Sequence, residues 1–256
     1  MKISAIELFN RLVNEFDIYK KEGKIFFQLG DIDIIVKKRD VVGNIIQEWV
    51  YEWLRKNNVE FERDEGQLPP DLFLAPEDKT CNLVEIKAFN YQESPAFDIA
   101  EPLAYLEEIV KRPYMLHTDY LIFGYKMDED TGIITIENMW LKKIWEICSP
   151  SKTKGLPIGG QAVKIRPNKW FNKTKRATPN FASLEDYLSA FVDLLYHLYN
   201  GSKHSEIAKT AKERIITSYQ KHFPGKELHI LWFDAIKEKY FPPKNKFERR
   251  KESHSR

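Results

Sequence analysis

Three residues near the middle of the chain have the types and spacing for phosphodiester chemistry. Asp71 follows Pro70, and Glu85-Ile86-Lys87 then sets a carboxylate and an ammonium two residues apart. On a strand, side chains alternate between faces, so Glu85 and Lys87 share one face while Val84, Ile86 and Ala88 share an apolar one. A hairpin centred on Asp78 pairs residues whose numbers sum to 156, which places Asp71 opposite Glu85. Cross-strand neighbours have Cβ atoms about 4.5–5.5 Å apart, and two carboxylates that close repel unless a cation compensates them. Mg²⁺ suits such a site, because it takes hard oxygen ligands and keeps room for water and phosphate oxygens. Asp71, Glu85 and the Ile86 backbone carbonyl are therefore candidate ligands for one or two Mg²⁺ ions. Lys87 would orient or help deprotonate the attacking water and offset charge on the transition state.

A pattern this short also recurs by chance, and the plainer alternative is a surface hairpin carrying a Glu–Lys pair. The surrounding elements decide how much weight it bears. The spacing of Ile6, Phe9, Val13 and Phe16 predicts an amphipathic first helix rather than a signal peptide, and with it a cytoplasmic protein. A strand pair broken near Gly30-Asp31 follows, with Ile32, Ile34 and Val36 alternating; Asp31 and Asp33 read as turn or strand-edge acids. Val42, Ile45, Ile46, Trp49, Trp53 and Leu54 predict a helix over about 41–56, with Asp40 as its N-cap. Residues 59–90 read as strand, loop, strand, a turn at Pro76–Thr80, and strand. Beyond them come a helix after Pro102 and a strand pair, 119–125 with 132–138; 140–147 is ambiguous between strand and helix. An apolar helix over 184–199 and polar helical segments complete the pass.

The net charge is only +2, but it is unevenly spread. Between Glu146 and Glu185 no acidic residue occurs for 38 positions, and the segment is rich in Gly, Pro and Asn. Its Lys152, Lys154, Lys164, Arg166, Lys169, Lys173, Lys175 and Arg176, with Asn168 and Asn172, form a candidate DNA-binding set, because Lys and Arg neutralise phosphates and Asn reads base edges. Trp170 and Phe171 are packing or stacking anchors within it. Asn90, Gln92 and Ser94, just past Lys87, form a second candidate set, or else a plain polar connection. The division expected is a core over 1–148, a basic DNA-contacting region over 149–182, helices over 183–240 and a basic tail over 241–256.

Other chemistries find little support. The six histidines lack metal-ligand spacing, and Gly159-Gly160 is not followed by the Lys-Ser/Thr of a nucleotide loop. Cys81 and Cys148 read as reduced core residues, and no apolar run is long enough to span a bilayer.

Pro70-Asp71 followed by Glu85-Ile86-Lys87 resembles the signature of the PD-(D/E)xK nuclease superfamily. The longer strings DVVGNIIQEWVYEWL, PPDLFL, VEIKAFNYQESPAFDIA and DYLIFGY are similar to type II restriction endonucleases of the NgoBV/NlaIV group, over about residues 40–125. The resemblance implies a mixed α/β fold, a sheet of about four strands flanked by helices, here with a mainly helical C-terminal part. It implies a Mg²⁺-dependent homodimer cutting double-stranded DNA at a palindrome of the GGNNCC type, with a companion methyltransferase outside the complex. It also implies a helix acid four residues after a glycine; here Gly43 leads to Gln47, with Glu48 beside it, and either could support the metal. A repair or junction-resolving nuclease of the same fold, and a non-catalytic DNA-binding module, are the competing readings.

Overall fold

The structure, a computed structural model, describes residues 1–66, 68–95, 97–159, 163–168, 170–171 and 179–243. The candidate contacts Lys169, Asn172, Lys173, Lys175 and Arg176, and the tail over 244–256, lie outside the described residues.

The chain opens with α1 (Ala5–Asn10), started by a capping box in which Ser4 and Glu7 satisfy one another's backbone N–H groups, and continues as a π-helical turn over Arg11–Glu15. Strands β1 (Glu22–Gly23), β2 (Phe26–Leu29) and β3 (Ile32–Ile35) come next, then α2 (Val42–Lys56). Strands β4 (Glu62–Arg63), β5 (Leu72–Phe73) and β6 (Leu83–Asn90) precede α3 (Pro102–Lys111). After β7 (Asp119–Met127) and β8 (Ile134–Lys143) come α4 (Ile144–Ile147), β9 (Ile158–Gly159) and β10 (Lys164–Ile165). Helices α5 (Leu184–Tyr199), α6 (Ser205–His222) and α7 (Phe233–Tyr240) complete the described fold.

Six strands form one mixed sheet in the order β1-β8-β7-β6-β5-β4. Only β6 and β7 run parallel, because α3 and the turn after it carry the chain back across the sheet between them. Both faces are covered, so the central strands are apolar almost throughout. Leu8, Leu12, Val50 and Leu54 of the N-terminal helices pack with Leu72, Val84, Ile86, Leu121 and Phe123 on one face. On the other, Phe89, Tyr120 and Ile122 pack with Leu106, Ile109, Leu188, Phe191 and Ile215 of α3, α5 and α6. Among the described residues no helix is long and apolar enough to cross a membrane.

Three expectations are corrected and one left open is resolved. Ile6 is exposed, because the buried stripe of the first helix runs through Ala5, Leu8 and Leu12. Asp40 does not cap α2: a 3₁₀ turn over Arg39–Val41 leads directly into the helix, and no side chain caps it. Cys81 is exposed on the hairpin turn, while Cys148 is fully buried. The ambiguous stretch after Trp140 is both, a strand to Lys143 and then one helical turn capped by Glu146.

Candidate active site

Strands β5 and β6 pair Leu72 with Val84 and Phe73 with Leu83, the register whose numbers sum to 156. Asp71 precedes the short strand, and its side chain acts where backbone pairing stops. Its Oδ2 accepts the Ile86 N–H at 2.6 Å. Its Oδ1 accepts from Nε2 of Gln47 at 2.7 Å. Both oxygens are thus oriented by donors from different elements. Val84 and Ile86 face α2, whereas Glu85 and Lys87 face the α3 side, where Lys87 Nζ meets Glu85 Oε1 at 2.6 Å.

Gln47 reaches the site because α2 lies across that end of the sheet. One of its amide hydrogens goes to Asp71 and the other to the Tyr51 hydroxyl at 2.8 Å, while Tyr51 donates to the Asp71 carbonyl at 3.3 Å. Tyr51 is a member of this cluster that the sequence reading missed. Its signal was present: four residues separate it from Gln47, one helical turn along the same face. Glu48 does not join, since the next helical position turns away by about 100°. It pairs instead with Arg63 at 2.5 Å on the exposed side.

Burial sets the charge state. Desolvation pushes the Glu85 carboxyl up to about 7, against the pull of Lys87 and with a further push from Asp71. Desolvation raises Asp71 as well, although Lys87 and the Ile86 N–H oppose it. Burial alone would lower Lys87, but the Glu85 and Asp71 carboxylates outweigh it and hold the ammonium above the usual lysine range. A buried carboxylate pair with a single ammonium carries more negative charge than the protein neutralises.

One further atom shows what the site lacks. Glu85 Oε2 is buried with no hydrogen-bond partner. Buried acceptors are nearly always satisfied, so this oxygen is left free to accept from a ligand. Among the described residues no three His, Cys, Asp or Glu side chains gather in a metal-binding group, so a donor set for zinc is missing there. The Asp71 and Glu85 carboxylates supply hard oxygen donors of the kind a divalent cation takes.

A cleft of about 350 Å³ opens beside Lys87, walled by Asp98, Glu101, Glu108 and Arg112. Lys164 reaches the same cleft, because β10 is tied to Ala100 by an isolated bridge to Ile165. Arg166 pairs with Asp98 at 2.9 Å on the rim. Arg112 is held by Asp64 at 2.7 Å and by Glu108, a network that no local sequence pattern encodes. Lys164 and Arg166 are therefore the described members of the basic set that the fold brings nearest to Lys87.

The others are placed differently. Lys152 lies over the Phe241 ring, 5.3 Å from its centroid, and Lys154 is exposed on the same turn. Asn168 is tied to Asn180 at 2.8 Å and to the Ile147 carbonyl through its own N–H, which makes it a brace within the loop. Asn90 is buried and ends β6 by holding Glu93 and the Gln92 N–H, so its side chain is spent on the turn rather than on an outside partner. Gln92 and Ser94 are exposed. Trp170 and Phe171 pack with Phe89 and Trp140 at centroid distances of 5.2–5.8 Å, so they anchor the loop to the core.

A family model described as NgoBV restriction endonuclease matches residues 2–240. The type II restriction enzyme NlaIV of Neisseria lactamica is 42% identical over 244 residues, covering 94% of this chain and 98% of that protein. The type II restriction enzyme NgoBV of Neisseria gonorrhoeae is 47% identical over 178 residues, covering 69% of this chain and 97% of that protein. A solved structure of the NlaIV restriction endonuclease superposes with a TM-score of 0.85 at 41% identity, covering 94% of this chain and 97% of that one.

Proposed function

Because this chain belongs to the NgoBV restriction endonuclease family of type II restriction enzymes, we propose that Asp71, Glu85 and Lys87 are the residues with which it hydrolyses double-stranded DNA, with Mg²⁺ as the metal. The observation that supports the site most is the arrangement around Asp71. Two directed donors hold its carboxylate against a second, buried carboxylate that has one oxygen without a partner.

Asp71 and Glu85, with the Ile86 carbonyl, would hold the ion, which when bound lowers the pKa of a coordinated water and polarises the scissile phosphate. Gln47, itself steadied by donating to Tyr51, keeps the Asp71 carboxylate in one orientation, so that no reorganisation is needed at the moment of reaction. Lys87, kept as an ammonium by its two carboxylate neighbours, is placed to orient the attacking water and to stabilise negative charge gathering on the phosphate oxygens. Its high pKa favours that electrostatic role over the role of a base. Lys164, on the far wall of the cleft, is positioned to hold the DNA backbone beside the reacting phosphate, with Arg166 at the rim.

The family resemblance supports a short palindromic target of the GGNNCC type. A palindrome presents the same half-site to each of two copies, so two identical chains would each cut one strand. A companion methyltransferase would protect host DNA without being a subunit. Digestion of a defined plasmid with and without Mg²⁺ tests the reading. Discrete fragments ending at one repeated sequence are expected. A smear, or cutting confined to branched substrates, would favour a repair nuclease; no cutting under any divalent ion would leave a DNA-binding module.

A further inference from the structure

Tyr51 links α2 to Asp71, so the side chains that fix its ring bear on the metal site. The residue is buried, and its hydroxyl accepts from Gln47 Nε2 at 2.8 Å and donates to the Asp71 carbonyl at 3.3 Å. Both hydrogens of the Gln47 amide are then committed, one to Tyr51 and one to Asp71 Oδ1. The hydroxyl stands at the far end of a rigid ring, so a small tilt of that ring takes it out of hydrogen-bond range of both partners.

Two side chains from outside α2 hold the ring. The Arg63 guanidinium lies 4.1 Å from its centroid, and Phe61 stacks at 5.9 Å with its plane only 8° off. A cation that close to a tyrosine face is attracted by the ring quadrupole. Glu48 grips the guanidinium in turn, with Oε1 at 2.5 Å from Nη2 and Oε2 at 3.3 Å from Nη1. A carboxylate that takes two bonds fixes the plane of a guanidinium as well as its place. The sheet sets Arg63 there: β4 pairs it with Leu72, and the following N–H, of Asp64, donates to the Asp71 carbonyl at 2.9 Å. The edge strand that carries Arg63 therefore also holds the Asp71 backbone.

Neither stability nor DNA contact accounts for the pair. The Arg63 and Glu48 side chains are 42% and 56% exposed, and an ion pair that open adds little to folding. The hollow around Arg63 is lined by Glu60, Glu62, Asp64 and Glu65, whose charges repel a phosphate backbone.

We propose that Arg63 is a positioning residue for the metal site, held by Glu48 and holding the Tyr51 ring, and through Tyr51 and Gln47 the Asp71 carboxylate. Glu48, whose partner is Arg63 and not Asp71, serves the site through that chain of contacts. The inference rests on the reading of Asp71 as a metal ligand.

Two measurements on the full chain test it: a thermal-shift titration with Mg²⁺ and no DNA, and single-turnover cutting of a plasmid that the wild type cuts. Arg63→Met is expected to raise the Mg²⁺ midpoint and lower the cutting rate by about 10-fold each, with the half-saturating DNA concentration unchanged. Its metal-free Tm should stay within about 2–4 °C of the wild type, as an exposed pair allows. Arg63→Lys keeps a cation for the ring and should fall between the two. Glu48→Gln should raise the Mg²⁺ midpoint in the wild type but change it by less than about 2-fold once Arg63 is Met, because the two act in series.

A Mg²⁺ midpoint for Arg63→Met within about 2-fold of the wild type overturns the proposal, as does a Glu48→Gln effect that is the same in both backgrounds. Weaker DNA binding at an unchanged Mg²⁺ midpoint would assign Arg63 to DNA and overturn it equally. Should Arg63→Met lose its circular dichroism, Glu48→Gln alone decides, at an exposed position: an unmoved midpoint overturns the relay. The reading of Asp71 fails separately, if Asp71→Asn binds Mg²⁺ and cuts as the wild type does; if that variant is inactive while Arg63→Met is unaffected, only the relay fails.

Discussion

Gln47 donates to Asp71 Oδ1 at 2.7 Å, so a carboxylate at the start of a two-residue strand is oriented by a helix from outside its own hairpin. Gln47→Ala should lower the cleavage rate by about 10–100-fold while leaving DNA retention intact, the usual cost of removing a group that orients a metal ligand. Gln47→Glu should place a third carboxylate against Asp71. The metal-free variant should melt below the wild type, and Mg²⁺ should narrow the gap. Equal melting temperatures in EDTA would refute the repulsion.

Under the proposed roles, Lys87→Ala should reduce cutting by at least about 100-fold, because it would remove both the water-orienting ammonium and the charge stabilisation. DNA retention in Ca²⁺ should survive. Undiminished cutting would remove Lys87 from the site.

Magnesium should stabilise the folded chain in the absence of DNA. At about 100 times its dissociation constant it contributes about 2.7 kcal/mol, which for a chain of this size raises Tm by about 5–10 °C. Glu85→Gln should abolish that shift, because it removes the charge whose second oxygen lacks a partner. Differential scanning with and without EDTA checks both outcomes.

Arg166 is neutralised by Asp98 at the cleft rim. Asp98→Asn should therefore strengthen DNA retention, and Arg166→Glu should weaken it and lower the salt slope by about one. Retention measured across a salt series separates these from a general loss of fold.

His117 is kept neutral by burial, with help from Lys143 and Lys226, and its pKa falls from 6.5 to about 4. The unfolded chain takes up a proton between those values while the fold resists it. Stability should therefore fall as pH drops from about 6.5 to about 4, by about 2 kcal/mol after allowing for the ring's partial exposure. His117→Phe should flatten that part of the urea-midpoint profile relative to the wild type, and parallel profiles would remove His117 as the cause.

Much of the fold could be read from the sequence because it depends on short-range periodicity. Val42–Lys56 buries one face, and the 3.6-residue spacing of its apolar residues shows it; Leu184–Tyr199 is buried on all sides over 186–192, and its high apolar content shows that. The hairpin register was legible for a related reason: β5 and β6 are apolar on their core face and the turn between them is short, so few alignments keep Val84 and Ile86 inside. Ile6 and Cys81 were misplaced because an apolar side chain in a short helix or turn has several ways to face, and only the packing around it chooses.

The sequence by itself determined which residues could do chemistry, since Asp71, Glu85 and Lys87 follow from strand alternation and one turn length, both local properties. The tertiary structure alone put Gln47 rather than Glu48 against Asp71, because that depends on how α2 is rotated over the sheet, and the rotation is set by Leu54, Val50 and Ile46 packing on Val84 and Ile86. It alone brought Lys164 and Arg166 toward Lys87, across about eighty residues of chain, because β10 is held to Ala100 by long-range hydrogen bonds that no local pattern encodes.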